Sequence, residues 1–196
     1  MTLIYAVTII LLASAVLFLM PRKVNAHCDT MDGPTAIDGK KALETGNIKH
    51  AFKWISPEYE HELHEIFELS RKVRGLNSDA QELADRYFLE NLVRIHRAGE
   101  GAPFEGLKPS GTPIDEKVAA ADKSIAIGNL SPLEGLFSQE EMHALEEKFQ
   151  KAMPLKDYDI NDVAAARKYV AAYVGFFKLA EGEEHDHGQH AHGHSH

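Results

Sequence analysis

Two stretches of this sequence concentrate side chains that bind transition-metal ions. After Gly182 the chain reads Glu-Glu-His-Asp-His-Gly-Gln-His-Ala-His-Gly-His-Ser-His, which places His185, His187, His190, His192, His194 and His196 in its last fourteen residues. Half of the 12 histidines are here, so the tail is where a metal reading rests most safely. Neutral imidazoles one or two residues apart can chelate a soft or borderline cation as the chain bends around it. Apolar residues are almost absent, so the tail (182–196) is expected to be disordered. Such a chelator suits acquisition, buffering or delivery rather than catalysis, which needs fixed geometry.

The second stretch is His27-Cys28, and its chemistry depends on the residues before it. Leu3 to Met20 is an apolar run broken only by Thr8 and Ser14, followed by Pro21, Arg22, Lys23 and then Val24-Asn25-Ala26. The small residue at 26 and the helix-breaking Pro21 predict a signal peptide over 1–26, cut after Ala26. An uncleaved signal anchor is the alternative, because a run of about 18 apolar residues can just span a bilayer. Either way the protein is expected to be exported, to the periplasm, or anchored at the membrane through this segment alone. Cleavage would expose His27-Cys28-Asp29-Thr30-Met31-Asp32-Gly33-Pro34 as the new N-terminus. The α-amine, an imidazole, a backbone amide and a thiolate would then lie close together, with Asp32 nearby. That N/S donor set suits nickel or copper, and zinc is a third candidate for the ligands as a whole.

Further candidates lie on predicted helices. Glu58 with His61 and Glu140 with His143 both read Glu-x-x-His, the spacing by which di-metal bundles point a carboxylate and an imidazole inward. A full di-metal site also needs a bare glutamate from each remaining helix, and the last helix has none. His61-Glu62-Leu63-His64-Glu65 misses the zinc-protease pattern at its last position. His61, His64 and Glu65 share a helix face, which is read first as a solvated charged face and second as part of a metal site. His96, between Arg94 and Arg97, is read first as a hydrogen-bonding partner of the following Gly-rich loop and second as a third ligand for the N-terminal site. Glu90 is placed to pair with Arg94.

Hydrophobic periodicity supplies the elements that must hold these groups. Gly33-Pro34 opens a short helix from about Thr35 to Thr45, which Gly46-Asn47 stops. A short apolar stretch around Ile48 to Ile55 has no clear type. Ser56 and Pro57 then start a helix to Gly75, with Ser56 as its cap. A second long helix begins at Asn77 or Ser78, carries Leu83, Ala84, Tyr87, Phe88, Leu92 and Ile95 along its apolar side, and ends before Gly99. Gly and Pro alternate from 101 to 113, which marks a long loop. An alanine-rich helix follows from Asp115 to Ile127. Ser138 and Glu141 form a capping box for a helix through Met153. Asn161 or Asp162 caps a final helix that reaches about Ala180 and lacks any acidic residue from Val163 to Leu179. Such a helix is expected to be covered on two faces. The result is an all-α, four-helix-bundle-like domain over 27–181 with additional short helices.

Bulk properties exclude several classes. The net charge is -9, and a chain lacking its first 26 residues loses only Arg22 and Lys23, so it becomes more acidic. Phosphate backbones would be repelled, so no nucleic-acid partner is expected. No P-loop, dinucleotide fingerprint or Ser-His-Asp arrangement is present. One cysteine rules out an intrachain disulfide. Expected partners are metal ions and metal-handling proteins, with a homo-oligomer open.

The His-Cys start resembles the nickel-containing superoxide dismutases, whose mature chains also begin His-Cys ahead of a four-helix bundle. The match rests on His27, Cys28, Asp29 and Gly33. That family has proline where this chain has Met31 and a second cysteine where it has Asp32, so its two-thiolate nickel environment cannot form. The wider motif from Ala26 to Pro34, with Ala84-Asp85-Arg86-Tyr87-Phe88 and the stretch from Leu92 to Pro103, is similar to an uncharacterised bacterial exported family of unknown function. Three functional readings follow: an exported metal-binding protein, a metal-dependent redox enzyme using the His27-Cys28 hook, and a structural or interaction bundle without specific metal.

Overall fold

The computed structural model describes residues 27–182; the signal peptide or anchor expected over 1–26 and the six tail histidines lie outside the described residues. Among the described residues, a 3-10 turn at His27–Asp29 is followed by seven α-helices: α1 Pro34–Thr45, α2 Lys49–Phe52, α3 Glu60–Arg74, α4 Ser78–Gly99, α5 Glu116–Ile127, α6 Gln139–Ala152 and α7 Val163–Ala180. The described residues contain no strand, only one isolated parallel bridge between Thr30 and Lys108. None of their helices is long and apolar enough to cross a membrane.

Local chemistry explains most helix ends. Asn77 accepts from Ala80 N at 2.9 Å, Asp162 from Ala165 N at 2.9 Å and Asp115 from Lys117 N at 2.8 Å. At α6 both arms of the capping box form between Ser138 and Glu141, so two otherwise orphaned N–H groups are satisfied at once. Ser56 departs from expectation. Its side chain caps nothing; Pro57–Tyr59 makes a 3-10 turn, and α3 starts only at Glu60. The stretch of unclear type becomes the short helix α2 and a turn that buries Trp54 and Ile55.

α3 packs along α4, α6 along α7, and the shorter α1 and α5 close against α4 and α7 respectively. The core draws Leu63 and Phe67 from α3, Phe88, Leu89 and Leu92 from α4, Leu145 from α6, and Phe176 and Phe177 from α7. Each such side chain contributes roughly 1.5–3 kcal/mol on burial. The apolar stripe of α4 is rotated from the expected one. Leu83 is 70% exposed and Tyr87 also faces solvent, while Leu89, Val93 and His96 are buried instead. α1 can cross α4 closely because Gly39 has no side chain: a Cβ there would sit 2.6 Å from Leu89 Cδ2 and 2.8 Å from Leu92 Cδ2. That crossing brings the start of α1, and with it the His27 turn, onto the bundle.

Candidate functional site at His27

Two contacts tie the His27–Asp29 turn down. His27 O accepts from Thr30 N at 3.3 Å and from Thr30 Oγ1 at 3.1 Å. Gly33, just before α1, lies so near that a Cβ on it would be 2.2 Å from His27 O. The 101–113 loop then laces onto the same segment: Lys108 N donates to Asp29 O at 2.7 Å and Met31 N to Lys108 O at 2.9 Å. Asp32 accepts from Ser110 Oγ and Gly111 N, each at 2.7 Å. Those donors hold its carboxyl below the usual range.

These tethers fix where His27 points. Its ring is buried and stacks on Phe177 of α7, with centroids 5.3 Å apart and planes inclined by 20°. Nε2 lies 2.5 Å from Asp122 Oδ2 of α5, and the other Asp122 oxygen accepts from the Tyr173 hydroxyl of α7 at 2.5 Å. Nδ1 of His27 is buried with no hydrogen-bond partner. Since the carboxylate can only accept, Nε2 carries a proton, and in a neutral ring Nδ1 would present its lone pair. This group opens on a cavity of about 430 Å³ whose wall includes Trp54, Tyr158, Tyr169 and Tyr173. At one side Asp38 accepts from Trp54 Nε1 at 2.8 Å and pairs with Lys53 at 2.7 Å.

Cys28 follows His27 into a different environment. The residue as a whole is half-buried, but packing around the thiol pushes its pKa up to about 12, and the Glu100 carboxylate adds to that. The Thr35 hydroxyl beside it pulls weakly the other way. Cys28 is therefore a thiol at neutral pH. Behind it runs a buried ionic network. Arg97 lies 3.6 Å from Asp29 and 3.1 Å from Glu100, and Glu100 also pairs with Lys178 at 3.0 Å. Burial works to raise the Glu100 carboxyl, but His96, Lys178 and Arg97 together bring it below its ordinary value.

The helix candidates do not join this site. His61, His64 and Glu65 are exposed on α3, while Glu62 between them pairs with Arg94 at 2.5 Å. Glu90 pairs with Arg86 at 3.0 Å rather than with Arg94. Glu140 and His143 are exposed on α6, His143 lying 3.6 Å from Glu147. His96 is buried and donates from Nδ1 to Trp54 O at 2.7 Å, so it serves the Trp54 turn and not the Gly-rich loop. It is Arg97 that reaches the loop, at Pro103 O. Among the described residues, no three or more His, Cys, Asp or Glu side chains gather so as to hold a metal ion.

Asp122 and Tyr173 are the functional residues that sequence reasoning missed. A trace was present: Asp122 is an acid in the middle of an alanine-rich helix, beyond the acids at its start and next to the core residue Ala121. Its partner Tyr173 sits on the helix that has no acid of its own, so the pairing is legible only once α5 lies on α7.

Fold and site together define an all-α bundle in which a buried histidine, His27, is held by the partly buried carboxylate of Asp122. The chain matches the model of a family of unknown function, DUF6448, over residues 32–179, and it belongs to that family. No curated protein and no solved structure matches it. The matched segment contains Asp122, Tyr173 and Phe177, whereas His27, Cys28 and the tail histidines fall outside it.

Proposed function

We propose that this is an exported protein that binds a transition metal, with His27 at the mature N-terminus as the anchoring ligand and the tail histidines as the collecting arm. The observation that carries the reading is the partly buried His27–Asp122 pair with the orphaned Nδ1 of His27. Metal-ligating histidines commonly donate their second N–H to a carboxylate, which fixes the tautomer and raises the basicity of the ligating nitrogen. Removal of residues 1–26 would turn the backbone nitrogen of His27 into an α-amine. That amine and Nδ1 of the same residue can close a small chelate ring. Side chains of the described residues alone do not complete a metal site, so the amine and the tail supply the remaining donors in this reading.

The placement of α7 supports a joint role for the tail. Phe177, on which His27 stacks, lies one turn before the end of α7 at Ala180. A chain of fourteen residues spans at most about 50 Å, so its length would allow tail histidines to reach the His27 site, and a tethered ligand acts at raised effective concentration. Nitrogen donors with a carboxylate behind them favour copper over nickel and zinc on intrinsic affinity.

Metal analysis of protein beginning at His27, with and without residues 185–196, tests this. The form lacking the tail histidines should bind copper, nickel or zinc at His27 more weakly than the full form, and His27→Ala should lose that equivalent in both. Asp122→Asn should weaken affinity by about 10–100-fold, as loss of an outer-shell partner does. One extra residue ahead of His27 should weaken binding as well. No metal above background in either form overturns the reading.

A further inference from the structure

A second cavity, of about 690 Å³, lies where the end of α4 meets α7. Lys53 and Trp54 line both this cavity and the one at His27. Most of its remaining wall comes from the turn after Trp54, the end of α4, Lys148 of α6 and one side of α7.

The charge of this wall runs against that of the molecule. Four cations, Lys53, Lys148, Arg167 and Lys178, share it with one carboxylate, Glu100, in a chain of net charge -9. Three of the four are committed. Lys53 pairs with Asp38 and Lys178 with Glu100, while Arg167 pairs with Glu60 and donates to the carbonyls of Phe52 and Ile55. Lys148 makes no ion pair or hydrogen bond to any described residue. A local excess of positive charge on an acidic protein concentrates anions there, and the uncommitted ammonium of Lys148 is the group left to hold one.

Gly175 is a second sign of an occupant. Glycine is among the poorest helix formers, yet this one lies inside α7. Close packing usually explains such a glycine. Here a Cβ would meet nothing within 4 Å. Gly175 lines the cavity beside Val170 and Val174, so what its missing side chain leaves open is space over an apolar stretch of α7.

His96 is the third. Its Nδ1 donates to Trp54 O, and burial lowers its pKa below the ordinary 6.5, so at neutral pH its Nε2 offers only a lone pair. That nitrogen is buried without a hydrogen-bond partner. The nearby carboxylate, Glu100 Oε2 at 3.6 Å, cannot donate to it. An unsatisfied buried acceptor is costly, and a donor carried by an occupant of the cavity relieves that cost. Arg97 and Lys178 already balance the charge of Glu100, so a neutral hydroxyl suits the place better than an ammonium.

We propose that this cavity binds a small organic acid that has an apolar body and a hydroxyl group. Its carboxylate pairs with Lys148, its body lies along Val170 and Val174 over Gly175, and its hydroxyl donates to His96 Nε2. The site stands whether or not His27 holds a metal.

The test is calorimetric titration of the protein, with EDTA present, using 4-hydroxybenzoate as the probe and amide and imidazole resonances to locate it. Binding should move the signals of Gly175 and His96. Benzoate, which lacks the hydroxyl, should bind several-fold more weakly. Tyramine keeps the ring and hydroxyl but carries an ammonium, and it should not bind. Gly175→Leu fills the open space with a better helix former, so the melting temperature should hold or rise while affinity falls more than about tenfold. Lys148→Gln, a change outside the core, should weaken binding by about tenfold through loss of a charged hydrogen bond. The proposal is overturned by no heat from 4-hydroxybenzoate at millimolar concentration, by benzoate or tyramine binding equally well, by shifts centred away from Gly175 and His96, or by full affinity in either variant.

Discussion

The imidazole of His27 lies nearly parallel on the ring of Phe177, joining the first described turn of the chain to the last helix. The two residues are 150 positions apart in sequence, yet their rings stack directly. That contact makes the N-terminal turn part of the core instead of a frayed end.

Phe177→Ala is expected to destabilise the protein by about 3–5 kcal/mol, the usual cost of removing a buried phenyl ring. Phe177→Leu should cost less while still removing the flat support under His27. Urea denaturation gives the stabilities, and the His27 ring resonances report its orientation. Unchanged resonances in Phe177→Leu would show that Asp122 alone orients the ring.

Gly33→Ala places a methyl group where His27 O now lies. The turn must shift, at a cost of roughly 1–3 kcal/mol for a tightly packed position. Metal affinity should fall along with stability. Glycines facing open space, such as Gly135, give a comparison in which any loss reflects backbone conformation alone. Binding retained at full strength in Gly33→Ala would mean that the turn does not set the site.

Acid should weaken the fold from about neutrality downward. Burial lowers the pKa of His96 below its ordinary 6.5, and burial together with Lys41 does the same for His50. The unfolded chain therefore binds protons at a higher pH than the native one, so stability rises with pH across that window. It is fully present above about 6.5 and is lost as the pH falls toward the depressed native values. Melting temperatures between pH 8 and 5 test this. His96→Gln, which keeps a donor for Trp54 O, should flatten the slope, and an equally steep slope in that variant would remove His96 from the account.

Alkali should weaken it for the opposite reason. The Cys28 thiol is raised from 9.0 to about 12 in the native protein. Above pH 9 the unfolded chain releases this proton while the native one keeps it, so stability falls between 9 and 12. Cys28→Ser should shallow that alkaline limb, leaving the contribution of Tyr173 above pH 10. The same protonation predicts slow alkylation of native Cys28 by iodoacetamide at pH 7.5, with fast reaction in urea. Rapid labelling of the native protein would contradict it.

Helix periods, the capping box at Ser138 and the glycine-rich loop were all legible in the sequence because each is governed by residues within a few positions. Positions governed by neighbours far along the chain were read less well. Leu83 and Tyr87 fit a helical stripe, but the arrival of α1 on the Leu89–Leu92 side rotates the buried face of α4 away from them. Ser56 has the chemistry of a cap, yet Pro57–Tyr59 turns before the α-helix begins. In the site, His27 and Cys28 stood out by type, whereas Asp122 became visible only through its partners: an isolated acid among alanines looks like solvent-facing polarity until α5 lies across α7. The Glu-x-x-His pairs show the limit of spacing, which alone cannot tell an inward carboxylate from an exposed one.

The burial of His27 also sets an order of events. A peptidase needs several residues of extended, accessible chain on both sides of the bond it cuts. In the folded domain, the residue just after the expected cut has its carbonyl against Gly33 and its ring under Phe177. Cleavage at that bond must then precede closure of the N-terminal turn. Under the proposed reading, a chain that folds before it is cut would keep residues 1–26 and never form the terminal amine, so the order of cutting and folding would decide whether the proposed metal site can assemble.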